Sequence, residues 1–572
     1  MAAPGTQRLK RAQRDWLAAP RGEGETAFSR IVESRGMAAA LARESLDQAE
    51  TEADPLLLSD MAKARDLIAA ALRGGERIAV YGDYDADGVT ACALLVRALR
   101  AAGHDPLAYI PQRESEGYGL NREALVELRQ QGAALVITVD CGTTAVEVVR
   151  ERPQGLTLII TDHHLPHRDP DADAVELAAA DALVNPQRPG DRYPFKGLAG
   201  VGVAYQLVRA LELAGLLPLG TAAAQLPLVA LGTVADMMPL QDENRSLVRR
   251  GLAAWTARAP LGLRLLARAS GGGGAVPGSS DLAFGLAPRI NAAGRMDDAW
   301  LALRCCLADH AAEAEQAAAR LEELNRSRRT ALAAALLLAR AEVEGMPDHL
   351  PLILLGSEQF SSGVVGLVAG RLAEEYGRPA FVYSRTGERW RGSVRGVPGL
   401  NVVEALRSCA KHLVSYGGHL SAGGFSLAPQ GCSEELLAAD LAAAVRQQLG
   451  ERVPGRTFLV DAEVCLSECG LELADELLQL QPCGTGNPAP LLCATGLSVV
   501  RTERIGKSGD HLKLSLRDQS GSAEAITFNR PQLQRHLPEG RRVDALFELE
   551  VDCWRGRRRP RLLLRDLRPA RA

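Results

Sequence analysis

The chain has 572 residues, 47% of them hydrophobic and 24% charged, with a formal net charge of −4, so three or four domains are expected rather than one core. Its low aromatic content and frequent Ala and Leu predict well-packed helices around sheets. The eleven cysteines follow no framework spacing, which argues against a disulfide scaffold and a cysteine metal site. Neither a signal peptide nor a long apolar span is present, which argues against membrane insertion. Together these features predict a cytoplasmic protein with reduced thiols.

The first chemical signal is an acidic run that follows a predicted strand. Residues 1–53 are polar and Arg-rich and are predicted to be an appended segment; the apolar run Ile78–Tyr81 then leads into Asp83, Asp85 and Asp87. Alternate side chains of an extended segment share a face, so the three carboxylates converge where the strand ends. Crowded carboxylates raise one another's pKa unless a cation compensates, and hard oxygen ligands suit Mg²⁺ or Mn²⁺.

Two other kinds of binding site share part of this acidic pattern. An EF-hand calcium loop also begins with Asp-x-Asp-x-Asp-Gly, but it requires a bidentate Glu at its twelfth position, where this chain has Leu94. Gly82 and Gly88 do not make the three-glycine fingerprint of a dinucleotide-binding turn. A plain acidic surface turn remains an alternative for this segment considered alone.

Two further apolar runs, 134–139 and 156–161, are typical of buried parallel strands. Each stops at a polar cluster; these are Asp140-Cys141-Gly142 and Asp162-His163-His164. Helical stretches separate the runs, at 90–100, 121–131 and 144–150. This alternation predicts a parallel sheet covered by helices, and ligands bind such sheets at the carboxyl ends of the strands. The polar clusters are therefore expected to meet there.

A fourth carboxylate, Asp236, lies in the apolar segment 228–239. A carboxylate in apolar surroundings is costly unless it is paired or bound to a ligand. Together with the carboxylates and imidazoles at the strand ends, it completes a donor set suited to two metal ions, which can activate water and neutralise phosphate.

The Asp-His-His sequence at 162–164, with the upstream acidic run and the Val-Asp-Cys-Gly strand end, resembles the DHH phosphoesterase superfamily. Three later segments narrow the resemblance to the RecJ single-stranded-DNA exonucleases; they are PRINAAGRM at 288–296, GVVGLVAGRL at 363–372 and GGHLSAGGF at 417–425. The match extends in order from Ile78 to Asn529.

The resemblance implies two metal ions, Mn²⁺ or Mg²⁺, and roles for individual residues. The positions that match metal ligands are Asp83, Asp85, Asp87, Asp140, His163 and Asp236. Asp140 would bridge the ions and act in catalysis, and Asp83 would be a further ligand or a close neighbour. His164 would lie beside the scissile phosphate and neutralise charge or protonate the leaving group. Asp162 is expected to orient a histidine without touching metal. For the histidine pair alone, the alternative is one buried, hydrogen-bonded ring and one exposed ring.

Beyond the first lobe, residues 311–343 have helical spacing and predict one long helix, which either braces two lobes or is an exposed connector. A glycine-rich loop is predicted at 271–274 before it. A second α/β lobe begins at 350, and its segment 389–396 alternates basic and apolar residues as a strand does. Arginine can hold phosphate oxygens through two hydrogen bonds; a solvated strand face is the alternative.

By the resemblance, Ser393 and Arg395 would form a pocket for the DNA 5′ end, with Arg113 contributing from the first lobe. This pocket, one nucleotide from the metals, would set the position of the cut. Arg295 is implied to contact the DNA backbone, and His419 to contact the scissile region.

Short runs with turn signals between 497 and 551 predict a small barrel, and residues 482–488 resemble the entry to the family's OB-fold. Residues 555–572 contain eight arginines and one acidic residue, Asp566. Lys513 and these arginines are expected to hold a single strand electrostatically; a solvated basic tail is the alternative. Phe528 is predicted to be a core residue, with a stacking platform as the alternative.

The predicted fold class is therefore α/β, with two α/β lobes joined by a long helix and a C-terminal OB-fold β-barrel. The predicted domains are an N-terminal segment (1–53), a DHH catalytic domain (54–245), a helical linker (246–345), a DHH-associated substrate-binding domain (346–450) and the OB-fold (454–572).

The predicted function is single-stranded-DNA-specific 5′→3′ exonuclease activity that releases 5′-mononucleotides in recombination and repair. The polarity, and single-strand-binding protein and a RecQ-type helicase as partners, are implied by the resemblance. The alternative is a DHH phosphodiesterase acting on short oligonucleotides or cyclic dinucleotides. A noncatalytic scaffold would have lost metal ligands, yet every matching position keeps an acid or a histidine.

Overall fold

The computed structural model describes residues 14–18, 26–37, 52–113, 115–117, 119–169, 174–271, 276–430, 433–450, 455–506, 508–554 and 557–570. Most of the predicted N-terminal segment and nearly all of the predicted glycine-rich loop lie outside the described residues. The chain forms two compact units, a larger one (Ala18–Glu322 with Val460–Ala572) and a smaller one (Met1–Leu17 with Glu323–Leu459). Among the described residues, no helix combines the length and apolarity needed to cross a membrane.

The N-terminal elements are β1 (Arg14–Ala18) and α1 (Ala27–Ser34). The elements that follow are α2 (Met61–Gly74), β2 (Ile78–Gly82), α3 (Ala86–Ala101), β3 (Leu107–Tyr109), α4 (Arg122–Gln130), β4 (Leu135–Val139), α5 (Val146–Arg150), β5 (Thr157–Thr161), β6 (His167–Asp169), β7 (Ala174–Glu176) and β8 (Ala182–Val184). The three strands predicted here and the three helices between them are all confirmed, with small differences at their ends.

A wholly parallel sheet with the order β3-β2-β4-β5-β8 forms the centre of this region. The direction of chain progression reverses between β2 and β4, and α/β sheets bind ligands at such a switch point. Every residue of β2 and β4 is buried, which explains their continuous apolar sequences. Helix α3 begins four residues earlier than predicted because Asp85 accepts hydrogen bonds from the N–H groups of Asp87 and Gly88 and caps it.

Helices dominate the rest of the region up to the second sheet. They are α6 (Gly200–Leu213), α7 (Thr221–Ala224), α8 (Leu226–Ala235), α9 (Asp242–Ala253), α10 (Trp255–Arg258), α11 (Leu261–Ala269), a π-helical turn (Asp281–Leu286), α12 (Ala287–Met296), α13 (Trp300–Leu307) and α14 (Ala311–Glu344). Helices α6, α8 and α13 pack on α3. The long helix predicted at 311–343 is confirmed as α14, and the division between the two units falls within it.

The smaller unit contains a mixed five-stranded sheet. Its elements are β9 (Ile353–Ser357), α15 (Val365–Tyr376), β10 (Ala380–Ser384), β11 (Trp390–Arg395), α16 (Val402–Ser408), β12 (Ser415–Gly418), β13 (Ala422–Leu427) and α17 (Glu434–Leu449). The strand order is β12-β13-β11-β10-β9, with only β9 and β10 parallel. Helix α15 packs on β10 and β11. The strand predicted at 389–396 is therefore confirmed as β11.

A closed barrel forms the C-terminal part of the larger unit. The remaining elements are β14 (Arg456–Val460), β15 (Ala462–Glu463), α18 (Leu471–Leu477), β16 (Leu492–Ile505), β17 (His511–Arg517), β18 (Ser522–Thr527), β19 (Arg542–Trp554) and β20 (Arg557–Pro569). The order β16-β17-β18-β20-β19 closes through pairing of β16 with β19, and β18 runs parallel to β20. The predicted barrel is confirmed. Helix α1 contributes Ala27, Ile31 and Val32 to its core.

The alternative of a solvated basic tail is wrong for Arg557–Pro569, because this segment is a strand of the barrel. Its arginines pair with carboxylates on the antiparallel neighbour β19; the pairs are Arg561 with Asp552 (2.6 Å), Arg565 with Glu548 (2.6 Å) and Arg568 with Asp544 (3.1 Å). Lys513 likewise pairs with Glu524 at 2.7 Å. Much of the expected positive charge is therefore compensated within the barrel.

The prediction that Phe528 is a core residue is also wrong. Its side chain is 46% exposed, and its ring packs edge-on against His511 with 5.0 Å between the ring centres. The buried side chains of β18 alternate at Ala525 and Thr527, so the next residue points outward. An exposed aromatic ring on an OB-fold agrees with the stacking alternative.

Candidate metal centre

The polar clusters predicted at the strand ends meet in the structure at the carboxyl edge of the parallel sheet. His163 Nε2 lies 3.1 Å from Asp140 Oδ1, 3.6 Å from Asp236 Oδ2 and 3.9 Å from Asp87 Oδ2. The donor atoms fall into three groups whose members lie within 4.8 Å of one another; the groups are Asp140-His163-His164, Asp87-His163-Asp236 and Asp83-Asp85-Asp140. All seven side chains therefore face one small volume, although they come from four separate segments of the chain.

Asp140 holds the centre of this cluster in an unusual backbone conformation. It directly follows β4 with φ 62°, and its side chain is buried. Aspartate tolerates the left-handed region better than most residues, and conformations of this kind occur most often at functional sites. A Cβ atom on Gly200 would lie 2.5 Å from Asp140 Cβ, so α6 can begin beside Asp140 only with glycine at this position.

Asp87 is fixed by the start of α6. Its Oδ2 accepts the N–H of Gly200 at 2.7 Å, and its Oδ1 accepts the N–H of Val201 at 2.9 Å. The partial positive charge of a helix N-terminus stabilises such a carboxylate. Nothing in the sequence pairs residue 87 with residues 200 and 201, so sequence reasoning missed this contact.

The donor set fits a hard divalent cation. Asp83 Oδ1 is buried and has no hydrogen-bond partner among the described residues. A buried acceptor of this kind needs an explanation, and ligation of a cation is one. Carboxylate oxygens with imidazole nitrogen are ligands that Mn²⁺ and Mg²⁺ accept.

Without a cation, four carboxyl groups of the cluster bind protons more tightly than usual. Burial, followed by the charges of Asp87 and Asp85, raises the pKa of Asp140 well above its ordinary value. Burial and Asp85 raise the pKa of Asp87 to about 7, and burial and Asp87 raise the pKa of Asp236 to about 8. The pKa of Asp83 is raised in the same direction by burial and by Asp85. A bound cation would lower these pKa values, because its positive charge offsets the repulsion between the carboxylates.

These pKa shifts predict how metal affinity depends on pH. Mn²⁺ binds the ionised carboxylates, so it must displace protons that the metal-free cluster holds below the raised pKa values. We expect Mn²⁺ affinity to increase from about pH 6 to about pH 8.5, with proton release on binding near the lower end. Calorimetry in two buffers that differ in ionisation enthalpy measures both quantities. An affinity that stays constant across this range would contradict the proposed ligand set.

Asp162 positions His164, as the sequence predicts. Its Oδ1 accepts the N–H groups of His163 and His164 at 2.7 and 3.1 Å and the His164 Nδ1–H at 2.8 Å, and its Oδ2 accepts the N–H of Thr143 at 2.9 Å. Burial alone would raise the pKa of Asp162, but the hydrogen bond and charge of His164 outweigh it and hold that pKa well below its usual range. Burial lowers the pKa of His164, but the bond to Asp162 and its charge dominate and raise it to about 9.

Replacement of Asp162 by Asn tests this positioning role. In the metal-free protein, Asp162→Asn should lower the pKa of His164 from about 9 towards the ordinary value of about 6.5, since the ring loses its anionic partner. Hydrolysis of single-stranded DNA, the activity that the sequence predicts, should fall by roughly 10- to 100-fold, as is usual when the partner of a site histidine is removed. An NMR titration of the histidine ring protons measures the pKa, with Asp66→Asn as an exposed carboxylate control. An unchanged titration would show that Asp162 does not control His164.

Helix α12 carries a second contact that sequence reasoning missed. Asn291 Oδ1 accepts the N–H of Ala86, which lies between two of the candidate ligands, at 2.8 Å. A Cβ atom on Gly294 would lie 2.9 Å from the Tyr84 carbonyl oxygen, so α12 packs directly on the acidic loop. The sequence analysis used this segment as a family motif and assigned a role only to its Arg295, because the role of Asn291 depends on a contact across 205 positions of the chain.

The predicted DNA contacts of the larger unit lie beside the same loop. The Arg113 guanidinium is 5.5 Å from the centre of the Tyr84 ring. Arg295, on α12, is close enough for its charge to act on the same ring: burial and Asp83 raise the pKa of Tyr84 to about 12, against the lowering effect of the charges of Arg113 and Arg295. The structure thus brings both arginines to the loop that carries three candidate metal ligands.

The predicted phosphate contacts of the smaller unit lie on β11. Arg395 Nη1 donates to Ser393 Oγ at 3.0 Å. Both side chains lie against the start of α15, since a Cβ atom added to Gly366 would be only 3.0 Å from Ser393 Oγ. His419 is exposed in the turn between β12 and β13. This turn lies at the same end of the sheet as Arg395, which pairs with Ala422 across β13. The structure therefore brings Ser393 and Arg395 together and places His419 in the turn at the same end of the sheet.

Family models match three parts of the chain. They are the DHH family N-terminal domain at residues 77–233, the DHHA1 domain at residues 350–449 and the RecJ OB domain at residues 460–566. The α/β regions and the barrel described above correspond to these three matches.

Individual proteins match over most of the chain. The single-stranded-DNA-specific exonuclease RecJ of Bacillus subtilis (strain 168) is 34% identical over 90% of this chain, which spans 64% of that relative's length. The protein of the same name from Dickeya dadantii (strain 3937) is also 34% identical over 90% of this chain, which spans 92% of its length.

Solved structures of a RecJ protein also match the chain. The crystal structure of RecJ from Thermus thermophilus in complex with Mn²⁺ has a TM-score of 0.79 and 32% identity, covering 98% of this chain and 80% of that chain. The complex of the same protein with Mg²⁺ has a TM-score of 0.72 and 30% identity, covering 98% and 79%. Because three domain models match in order and the identity extends over 92% of the Dickeya relative, the chain belongs to the RecJ family of DHH phosphoesterases.

Proposed function

We propose that this chain is a metal-dependent exonuclease that degrades single-stranded DNA from the 5′ end and releases 5′-mononucleotides. The observation that carries the proposal is the convergence of five aspartates and two histidines at the carboxyl edge of the parallel sheet. The relatives named single-stranded-DNA-specific exonuclease, and the Mn²⁺ and Mg²⁺ complexes of a relative, support the substrate and the choice of cation.

The proposal includes two divalent cations at this site. Asp140 and His163 each belong to two of the three groups of donor atoms, and a carboxylate, which has two oxygens, is the one of the two that can serve both ions. Asp85, Asp87, His163 and Asp236 would complete the ligand set, with Asp83 as a further ligand or a close neighbour. When bound, the cations would lower the pKa of a water molecule and neutralise charge on the phosphate.

His164 would act on the leaving group. Its Nδ1–H is held by Asp162, so Nε2 is the nitrogen that would act on the substrate. The raised pKa of about 9 keeps the ring protonated at neutral pH in the metal-free protein. A protonated imidazole stabilises negative charge that develops on the 3′-oxygen and can transfer a proton to it. Cleavage of the bond between phosphorus and the 3′-oxygen leaves the scissile phosphate on the new 5′ end of the strand. The released nucleotide departs with a 3′-hydroxyl and the 5′-phosphate that it already carried.

The arginines would select and orient the strand. Ser393 supplies a hydroxyl and Arg395 a planar guanidinium, a pair suited to a terminal phosphate. Arg113 and Arg295 would contact backbone phosphates beside the acidic loop. We include His419 as a contact to the scissile region, since its exposed turn is accessible to substrate.

Arg395→Ala tests the 5′-end assignment. Loss of the guanidinium should raise the KM for a 5′-phosphorylated single strand roughly tenfold, because a hydrogen bond to a charged group contributes about 1.5–3 kcal/mol. The kcat should change much less, and a strand with a 5′-hydroxyl should be affected little. Steady-state kinetics on the two strands measures this difference, with Arg389→Ala, an exposed arginine just before β11, as the control. Equal losses on both strands would contradict a 5′-phosphate pocket.

The proposed activity itself is tested with DNA of defined form. Mn²⁺ should permit digestion of a 3′-labelled single strand into a ladder shortened from the 5′ end, with little digestion of a blunt duplex. Chelation of the metal should stop the reaction. If the protein instead cleaves only dinucleotides or cyclic dinucleotides, the alternative function is correct.

The proposal extends to the setting of the reaction. Single-strand-binding protein and a RecQ-type helicase are proposed partners in recombination and repair, and a pull-down with each purified protein tests them. The nine cysteines whose side chains the structure describes are all free, which agrees with a reducing compartment such as the cytoplasm.

A further inference from the structure

A surface cavity of about 310 Å³ in the larger unit has no role in the site described above. Arg249, Arg250 and Arg258 line it together with Leu226, Ala253 and Ala254. The cavity lies at the N-terminal end of α8, whereas Asp236 caps the other end. Because α8 has 10 residues, it is about 15 Å long. The cavity is therefore distinct from the metal centre.

The positive charge of the cavity is compensated only in part. Arg250 forms an ion pair with Glu52, and Glu52 is buried and also pairs with Arg209 at 2.9 Å. Arg258 is exposed, and its guanidinium has no ion pair or hydrogen bond with any residue that the structure describes. No Asp or Glu occurs among the described residues that line the cavity. The cavity therefore presents excess positive charge to a ligand.

The chemistry of the lining indicates the ligand class. Guanidinium groups bind phosphate oxygens in a planar, bidentate manner. Leu226, Ala253 and Ala254 provide an apolar wall on which a sugar or base can pack. The volume lies at the lower end of the range for small-ligand sites. We propose that this cavity binds the phosphate group of a nucleotide, with a free 5′-mononucleotide as its ligand.

A backbone phosphate of DNA has the same chemistry as the phosphate of a free mononucleotide, so the experiment must separate the two. The identification of the mononucleotide as this chain's own product rests on the proposed function, but its binding does not require hydrolysis. A titration without divalent cations therefore tests the cavity independently of the nuclease activity.

The test is calorimetric titration of the full-length protein with dCMP in the presence of EDTA. All proteins carry Arg395→Ala, so that the proposed 5′-end pocket does not contribute. We expect Arg258→Ala to weaken dCMP binding roughly tenfold, and Arg258→Glu to abolish it. Inorganic phosphate should bind more weakly than dCMP at the same site, and deoxycytidine should not bind. Arg73→Ala, an exposed arginine in the last turn of α2, is the matched control and should bind like the parent protein.

Thermal unfolding of each variant shows that it is folded, which is expected because residue 258 is exposed. Unchanged dCMP affinity in both Arg258 variants overturns the proposal. The free-nucleotide assignment also fails if the variants weaken oligonucleotide binding but leave dCMP binding intact, since the cavity would then hold a backbone phosphate. Loss of dCMP binding with unchanged oligonucleotide binding supports the proposal as stated.

Discussion

Asp140→Asn is expected to reduce hydrolysis of single-stranded DNA by roughly 10³-fold or more. The substitution removes a negative charge that would hold the catalytic cations, and these cations would stabilise the transition state. Asp140 belongs to two of the three donor groups, and its Oδ1 lies 3.1 Å from His163 Nε2. Asparagine is the appropriate replacement because it also tolerates the left-handed conformation that Asp140 adopts at φ 62°. Alanine would add backbone strain to the chemical change.

The same variant should be more stable than the parent in the absence of metal. Burial and the neighbouring aspartates raise the pKa of Asp140 above its value in the unfolded chain. The folded parent therefore binds its proton more tightly than the unfolded chain does, and it loses stability as pH rises from about 4, the unfolded pKa, through the raised value. Asparagine removes this penalty, so its advantage in thermal unfolding should grow with pH. Mn²⁺ should stabilise the parent and leave Asp140→Asn nearly unchanged.

Asp66→Asn, which changes an exposed carboxylate, is the control for both measurements. A variant at position 140 that digests single strands at the parental rate would show that Asp140 is not a metal ligand. A variant that loses activity together with its folded structure would leave the charge argument unsupported, and the thermal unfolding curve distinguishes this case.

Gly200→Ala is the second change with a large expected effect, although residue 200 carries no functional group. The added Cβ would lie 2.5 Å from both Asp140 Cβ and Asp140 Oδ1, so either Asp140 or the start of α6 must move. The N–H of Gly200 also holds Asp87 Oδ2 at 2.7 Å, which couples the movement to a second ligand. We expect a loss of about 1–3 kcal/mol in unfolding free energy from overpacking, and a loss of roughly 10²-fold in activity from displaced ligands.

Gly202→Ala on the same helix is the matched control. Its Cβ would lie 3.3 Å from a methyl group of the Leu198 side chain, which can adjust. Mn²⁺ affinity by calorimetry and unfolding by denaturant should therefore change in Gly200→Ala and change little in Gly202→Ala. Equal effects at both positions would indicate a general disturbance of α6, and normal Mn²⁺ affinity in Gly200→Ala would contradict the role of this glycine.

The strands and the positions of most candidate ligands could be predicted from the sequence for a simple reason. Buried parallel strands have continuous apolar sequences, and the carboxyl ends of neighbouring strands lie at one edge of the sheet. Asp83, Asp140 and His163 follow three such strands and meet as expected. Asp236 ends a helix, and only its apolar surroundings and the family resemblance identified it.

The features that sequence reasoning missed depend on contacts between distant segments. Gly200 is required because its helix starts against Asp140, and Asn291 matters because it binds the N–H of Ala86. The ion pairs of the C-terminal arginines were missed for the same reason, since their acidic partners on β19 are set by strand register. Phe528 was assigned by hydrophobicity, whereas the alternation along β18 places it outside the core.

Anomalous diffraction from crystals soaked in Mn²⁺ tests the central claim most directly. The account predicts two manganese peaks at the carboxyl edge of the parallel sheet, with Asp140 in contact with both and with His163 and Asp236 among the remaining ligands. Crystals that contain no manganese at this edge, or that bind it only through other residues, would contradict the account.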